Sequence, residues 1–168
     1  PYDEGSITIN DREVKHSNLK ELRRQIGYVV QDVGLFPNMN VCQNISIVPN
    51  LLKWDKEKTL NRVKEMLQLV RLEPSEYINK YPSELSGGEA QRVGVARALA
   101  ADQEIILMDE PFGALDPITR SEIQDEFLTI QKKLNKTVVF VTHDMAEAMK
   151  LADRMAILSY GNLMALDK

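Results

Sequence analysis

The chain has 168 residues, 43% of them apolar and 27% charged, with a net charge of −4, the make-up of one globular domain with a single core. The acidic balance argues against a nucleic-acid-binding surface, and the longest apolar runs are too short to span a bilayer. The single cysteine, Cys42, excludes an internal disulfide; with no signal peptide in view, nothing points to secretion. Cys42 reads as a small packing residue, since no histidine lies near enough in sequence to activate it.

Along the chain, Ile7, Ile9 and Val14 flank Asn10-Asp11, the pattern of a short hairpin. Asn18 followed by Glu21 predicts a helix start, with the helix running to about Arg24. Ile26 to Val30 reads as a strand that ends at Gln31-Asp32. Pro37 and the Asn-rich stretch 38–44 interrupt regular structure, and from about Val41 to Leu99 the pattern is mainly helical. Leu60, Val63, Leu67 and Val70 are expected to share one helical face. Strands return at Glu104–Asp109, Thr137–Val141 and Arg154–Ser159. The first two are continuous apolar runs, as expected of strands covered on both faces. Between them Asp116-Pro117 opens a helix carrying Ile123, Phe127, Ile130 and Leu134 on one side. Asp144 with Glu147 starts another helix after His143, and Tyr160-Gly161-Asn162 turns the chain into a last strand. Strands alternating with helices imply an α/β fold with a largely parallel sheet.

The chemistry concentrates in two places. Leu85-Ser86-Gly87-Gly88-Glu89 stands before the helical pattern Val93, Ala96, Leu99. A serine and two glycines at a helix start form a nest of outward-pointing N–H groups that suits phosphate. The strand Ile105-Ile106-Leu107-Met108 ends in Asp109-Glu110, where two carboxylates suit a metal ion and a water. Taken alone, that pair reads better as a solvated acidic pair at a strand end. Likewise a lone His143 is more often structural than catalytic, Gln31 is an ordinary surface residue, and Asp116 is a plain helix cap.

Taken together and in this order, these stretches closely resemble the ATP-binding subunit of ABC transporters, over essentially all residues from 6 to 166. The resemblance implies a P-loop NTPase-type core over 1–40 and 102–168, with antiparallel N-terminal strands, and a helical signature subdomain over 41–101. It makes Leu85 to Glu89 the signature, with Ser86, Gly87, Gly88 and Glu89 binding nucleotide held by a partner subunit. Asp109 becomes the Mg2+ ligand and Glu110 the catalytic glutamate that orients the attacking water. His143 becomes the H-loop histidine, Gln31 the Q-loop glutamine reaching toward metal and water, and Asp116 the D-loop aspartate. Glu89 departs from the family's commonest signature, which has glutamine there. Ser86 is expected to lie away from Asp109, Glu110, His143 and Gln31 in its own chain.

No Gly-x-x-x-x-Gly-Lys-Ser/Thr occurs in the sequence. The resemblance places that P-loop upstream, so the chain is expected to be truncated at the N-terminus. Apolar surface around Ile106, Met108 and Val139 is then expected to be exposed or refilled. The cofactors implied are ATP and Mg2+. The partners implied are a second ATPase subunit packed head to tail, membrane permeases, and indirectly an extracytoplasmic solute-binding protein, with no nucleic acid. The expected place of work is the cytoplasmic face of the membrane. Val48 to Trp54 and Phe112 to Arg120 resemble ATPases of importers for glycine betaine, choline, carnitine or proline betaine. Two other readings stay open: an ABC ATPase of DNA repair or translation, or an inactive interaction fragment.

Overall fold

The computed structural model describes residues 4–30, 34–113, 115–134 and 136–167; for 132–134 it describes the backbone alone. Strands β1 (Thr8–Ile9) and β2 (Arg12–Glu13) pair antiparallel. Asn10 and Asp11 both take positive φ, 50° and 60°, which a two-residue hairpin turn demands and which these residue types tolerate. Helix α1 (Leu19–Arg24) starts at Asn18, whose side chain accepts the Lys20 N–H.

Strand β3 (Ile26–Val29) leads to the helical stretch: α2 (Val41–Leu51), α3 (Lys56–Leu69), α4 (Pro74–Tyr77) and α5 (Gly87–Leu99). The Asn-rich stretch is half loop and half helix. Asn40 caps α2 in a reciprocal pair with Gln43, and buried Asn44 ties the preceding loop through Phe36 and Met39. On α3 the buried face is Val63, Met66, Leu67 and Val70, whereas Leu60 is exposed. The buried set runs back to Thr59, four residues before Val63, and Leu60 lies at the edge of that stripe.

Strands β4 (Ile105–Asp109) and β5 (Thr137–Val141) join β3 in a parallel sheet of order β3-β4-β5. The register aligns Tyr28, Leu107 and Val139, and the next residues Val29, Met108 and Phe140. Helix α6 (Pro117–Leu134) bridges β4 and β5. Val29, Ile106 and Met108 belong to the buried core with Ile45, Val63, Leu67 and Val93 from the helices. Gly27 is required where α5 crosses β3, because a Cβ there would collide with the Ala98 carbonyl.

The expectation of strands covered on both faces does not hold. Tyr28, Val139 and Val141 stand 51%, 53% and 59% exposed on the opposite side of the sheet. Of the apolar surface expected to be exposed or refilled, Ile106 and Met108 are covered, each 2% exposed, while Val139 is open. The period of two along a strand explains both results: Val138 and Phe140 pack against the core while Val139 and Val141 face away. After α7 (Met145–Leu151), β6 (Met155–Ser159) pairs antiparallel with β7 (Asn162–Asp167). This hairpin is separate from the parallel sheet, and Leu158, Leu163, Met164 and Leu166 on it are exposed. No helix among the described residues is long and apolar enough to cross a membrane.

Candidate functional site

Asp109 closes β4, and the chain turns at once. Glu110 sits at φ 41°, in the left-handed region that costs an L-residue energy. The turn is held from two sides. The Glu110 N–H donates to the Val141 carbonyl at 2.9 Å, and the Gly113 N–H donates to the Glu110 carbonyl at 3.2 Å. On the neighbouring strand, β5 ends at Val141 and a turn follows. The Asp144 N–H donates to Thr142 Oγ1 at 3.1 Å, and the Asp144 carboxylate caps α7 through Ala146 and Glu147. Between these features His143 reaches back, its Nδ1 3.2 Å from Glu110 Oε1. The imidazole is largely exposed and the carboxylate is mostly covered. Asp109, Glu110 and His143 thus share the carboxyl end of the parallel sheet, the edge where α/β folds take ligands.

Among the described residues, no group of three or more His, Cys, Asp and Glu side chains converges on one point. One carboxylate at a strand end still fits a hard ion such as Mg2+, which keeps several waters and leans on phosphate oxygens. Asp116 accepts the Ile118 and Thr119 N–H groups at 3.2 Å each and so caps α6. Bonds from Thr119, through its side chain and then its backbone, hold the Asp116 carboxyl below its usual range. Burial pushes the Cys42 thiol up, which keeps it protonated and inert.

The Ser-Gly-Gly stretch opens α5. Ser86 is its N-cap, and the cap is reciprocal: Ser86 Oγ accepts the Glu89 N–H at 3.3 Å, and Glu89 Oε2 accepts the Ser86 N–H at 2.7 Å. Gly88 packs against α6, where a Cβ would stand 2.9 Å from Thr119 Cγ2. Glu89 also receives the Tyr77 hydroxyl at 2.5 Å. That bond, with those from Ser86, lowers the Glu89 carboxyl to about 2.

Among the expected site residues, then, Glu110 and His143 meet next to Asp109. Ser86 to Glu89 form a capped helix start, and Asp116 caps α6. Gln31 lies outside the described residues. Two residues were not singled out by sequence reasoning. Tyr77 holds Glu89 from twelve positions upstream. Gln91, 2% exposed, donates its amide to the Pro111 carbonyl, next to Glu110. Neither carries a local signal: both pairings cross between elements and depend on how those elements pack.

The sequence profile of the ABC transporter family matches residues 1–113. The chain belongs to the ABC transporter family. It is 56% identical over 164 residues to the carnitine transport ATP-binding protein OpuCA of Listeria monocytogenes, covering 98% of this chain and 41% of that relative. It is 58% identical over 159 residues to the glycine betaine/carnitine/choline transport ATP-binding protein OpuCA of Bacillus subtilis, covering 95% and 42%. The osmoprotectant import ATP-binding protein OsmV of Salmonella typhimurium is 50% identical over 159 residues, covering 95% and 42%. The chain therefore spans about two fifths of the length of these curated relatives. A solved ATP-binding cassette, MJ0796, described as dimeric, post-hydrolysis and bound to ADP and Pi, superposes with a TM-score of 0.82 at 33% identity. That match covers 98% of this chain and 73% of the other. An ABC transporter cassette with this helical stretch and three-stranded parallel core is accordingly the fold.

Proposed function

We propose that these residues serve the ATP-hydrolysing subunit of an ABC importer that takes up a small quaternary-amine osmoprotectant. The observation that carries this reading is the Glu110–His143 contact at the carboxyl edge of the sheet, one residue beyond Asp109. In this reading Glu110 orients the attacking water and accepts its proton. His143, held against that carboxylate, fixes the water and the terminal phosphate between them. Asp109 would hold Mg2+, which neutralises phosphate charge when bound. Gln31 is assigned to the same metal and water.

Ser86, Gly87 and Gly88 receive phosphate bound by a second, head-to-tail subunit, where the amides of a helix start favour an anion. Glu89 braces that turn, and Asp116 lies in the loop between the two sites. Residues 41–101 act as the signature subdomain on a core made of 1–40 and 102–168. Nucleotide closes the dimer, and the closure works permease subunits at the cytoplasmic face of the membrane, fed by an extracytoplasmic binding protein. The functions of the relatives, carnitine, glycine betaine and choline transport, support this solute class over repair or translation.

The test uses a version extended upstream with a P-loop segment. Glu110→Gln keeps the side-chain shape without a basic oxygen pair, so it should retain ATP and the closed dimer while turnover falls by roughly 10²–10⁴. Hydrolysis at the wild-type rate would remove Glu110 from this role.

A further inference from the structure

Glu89 is used at both of its oxygens. Oε1 accepts the Tyr77 hydroxyl at 2.5 Å and Oε2 accepts the Ser86 N–H at 2.7 Å. A carboxylate accepts at both ends, whereas a glutamine amide presents one acceptor and one donor. Glutamate at this position therefore gathers two converging donors, and charge-assisted bonds of this kind are roughly twice as strong as neutral ones.

Tyr77 is itself fixed. It is the last residue of α4, and its N–H donates to the Glu73 carbonyl at 3.0 Å. The Lys80 ammonium lies 3.9 Å from its ring centroid while pairing with Glu76 at 2.9 Å. The chain just after it is bolted to α2: the Ile78 and Lys80 carbonyls accept the Cys42 and Val41 N–H groups at 3.0 and 2.8 Å. The phenol thus connects the start of α5 to the body formed by α2 and α4. At that start, the Ser86 N–H is tied to Glu89 and the Glu89 N–H to Ser86 Oγ. The Gly87 and Gly88 N–H groups, in the first helical turn, have no intrahelical acceptor and are left for a ligand.

We infer that Tyr77 is a positioning residue for the signature turn, acting through Glu89 to fix the Ser86–Gly88 backbone for a neighbouring subunit's nucleotide phosphate. This rests on the assignment of Ser86 to that phosphate given above. Glutamine, the family's commoner residue, would replace these two charge-assisted bonds by neutral ones, its NH2 turned to the Tyr77 oxygen, so it weakens the clamp in this chain.

The experiment measures ATP-dependent dimerisation by light scattering, steady-state ATPase kinetics and thermal melting in the P-loop-extended form. The variants are Tyr77→Phe, Glu89→Gln, the double variant, and Ser86→Arg. Tyr77→Phe and Glu89→Gln should each raise the ATP concentration for half-maximal dimerisation, and KM with it, by about three- to tenfold. For Tyr77→Phe, turnover at saturating ATP should change by less than about twofold. The double variant should be no worse than either single, since both remove the same clamp. An unchanged ATP response, additive effects, or lower melting with no shift in ATP response would overturn the positioning role. Ser86→Arg separates the two layers of the argument. If it abolishes dimerisation while Tyr77→Phe and Glu89→Gln leave the ATP response intact, only the clamp fails. If Ser86→Arg dimerises normally, the assignment of Ser86 fails and the clamp with it.

Discussion

The left-handed backbone at Glu110 can be tested by comparing Glu110→Ala with Glu110→Gly. Both delete the carboxylate and its contact with His143, so that loss cancels between them. What remains is the backbone at φ 41°. An L-residue pays roughly 1–2 kcal/mol there, and glycine pays about 0.5–1 kcal/mol for its freer unfolded chain. The difference leaves glycine ahead by about 1 kcal/mol, the reverse of the usual order inside a strand or helix. For a chain of this size that is about 2–4 °C in melting temperature. Thermal unfolding of the chain followed by circular dichroism should therefore rank Glu110→Gly above Glu110→Ala by that interval. In the P-loop-extended form both variants should lose turnover by a similar factor of roughly 10²–10⁴. An alanine variant as stable as the glycine variant would show that residue 110 carries no strain, and that the turn is not what aims the carboxylate.

The open sheet face offers a second test. Val139 and Val141 are each a little over half exposed, so covering one is worth roughly 1 kcal/mol. Two copies meeting face to face would cover four, and Val139→Thr with Val141→Thr should weaken self-association by about 2–4 kcal/mol, or roughly 30- to 700-fold. Sedimentation that shows equal association in both forms would refute a role for this face. The third test concerns acid. The Glu89 carboxyl is lowered from 4.5 to about 2, so its stabilising contribution is fully present above pH 4.5 and is lost as pH falls through about 2. The melting-temperature gap between wild type and Glu89→Gln should narrow over that window. A gap that stays constant from pH 6 to pH 2 would mean that the ionised carboxylate is not what braces the turn.

Local features were the legible ones. Asn18, Ser86, Asp116 and Asp144 all cap helices where the sequence marks a start, because a cap joins residues only two or three positions apart. The strands Ile26–Val29, Ile105–Asp109 and Thr137–Val141 follow their apolar runs. Which face of a run is buried was not legible. Val138 to Val141 is uniformly apolar, and only the packing of the helices decides that Val138 and Phe140 are the inner pair. The pairing of Glu110 with His143 spans 33 positions, and the order of motifs suggested it without supplying a distance. The Tyr77–Glu89 and Gln91–Pro111 bonds had no sequence signal, since a tyrosine or glutamine on a helix is common and its partner lies on another element.

Ile26 and Ile105 are partners in the parallel ladder although 79 positions separate them. An unstructured loop of that length must be closed before one β3–β4 hydrogen bond can form, and its entropy weighs against the encounter. The intervening residues are not unstructured: α2, α3 and α5 pack on one another around Ile45, Val63, Leu67 and Val93. Once these helices condense, the two strand ends are carried close together and the effective loop shrinks. The expected order of assembly is therefore the helical stretch first and the parallel sheet second, with the edge that aligns Asp109 and Glu110 with His143 among the last parts to become ordered. Substitutions at Ile45 or Leu67, far from that edge, should slow its appearance during refolding more than substitutions on β5 do.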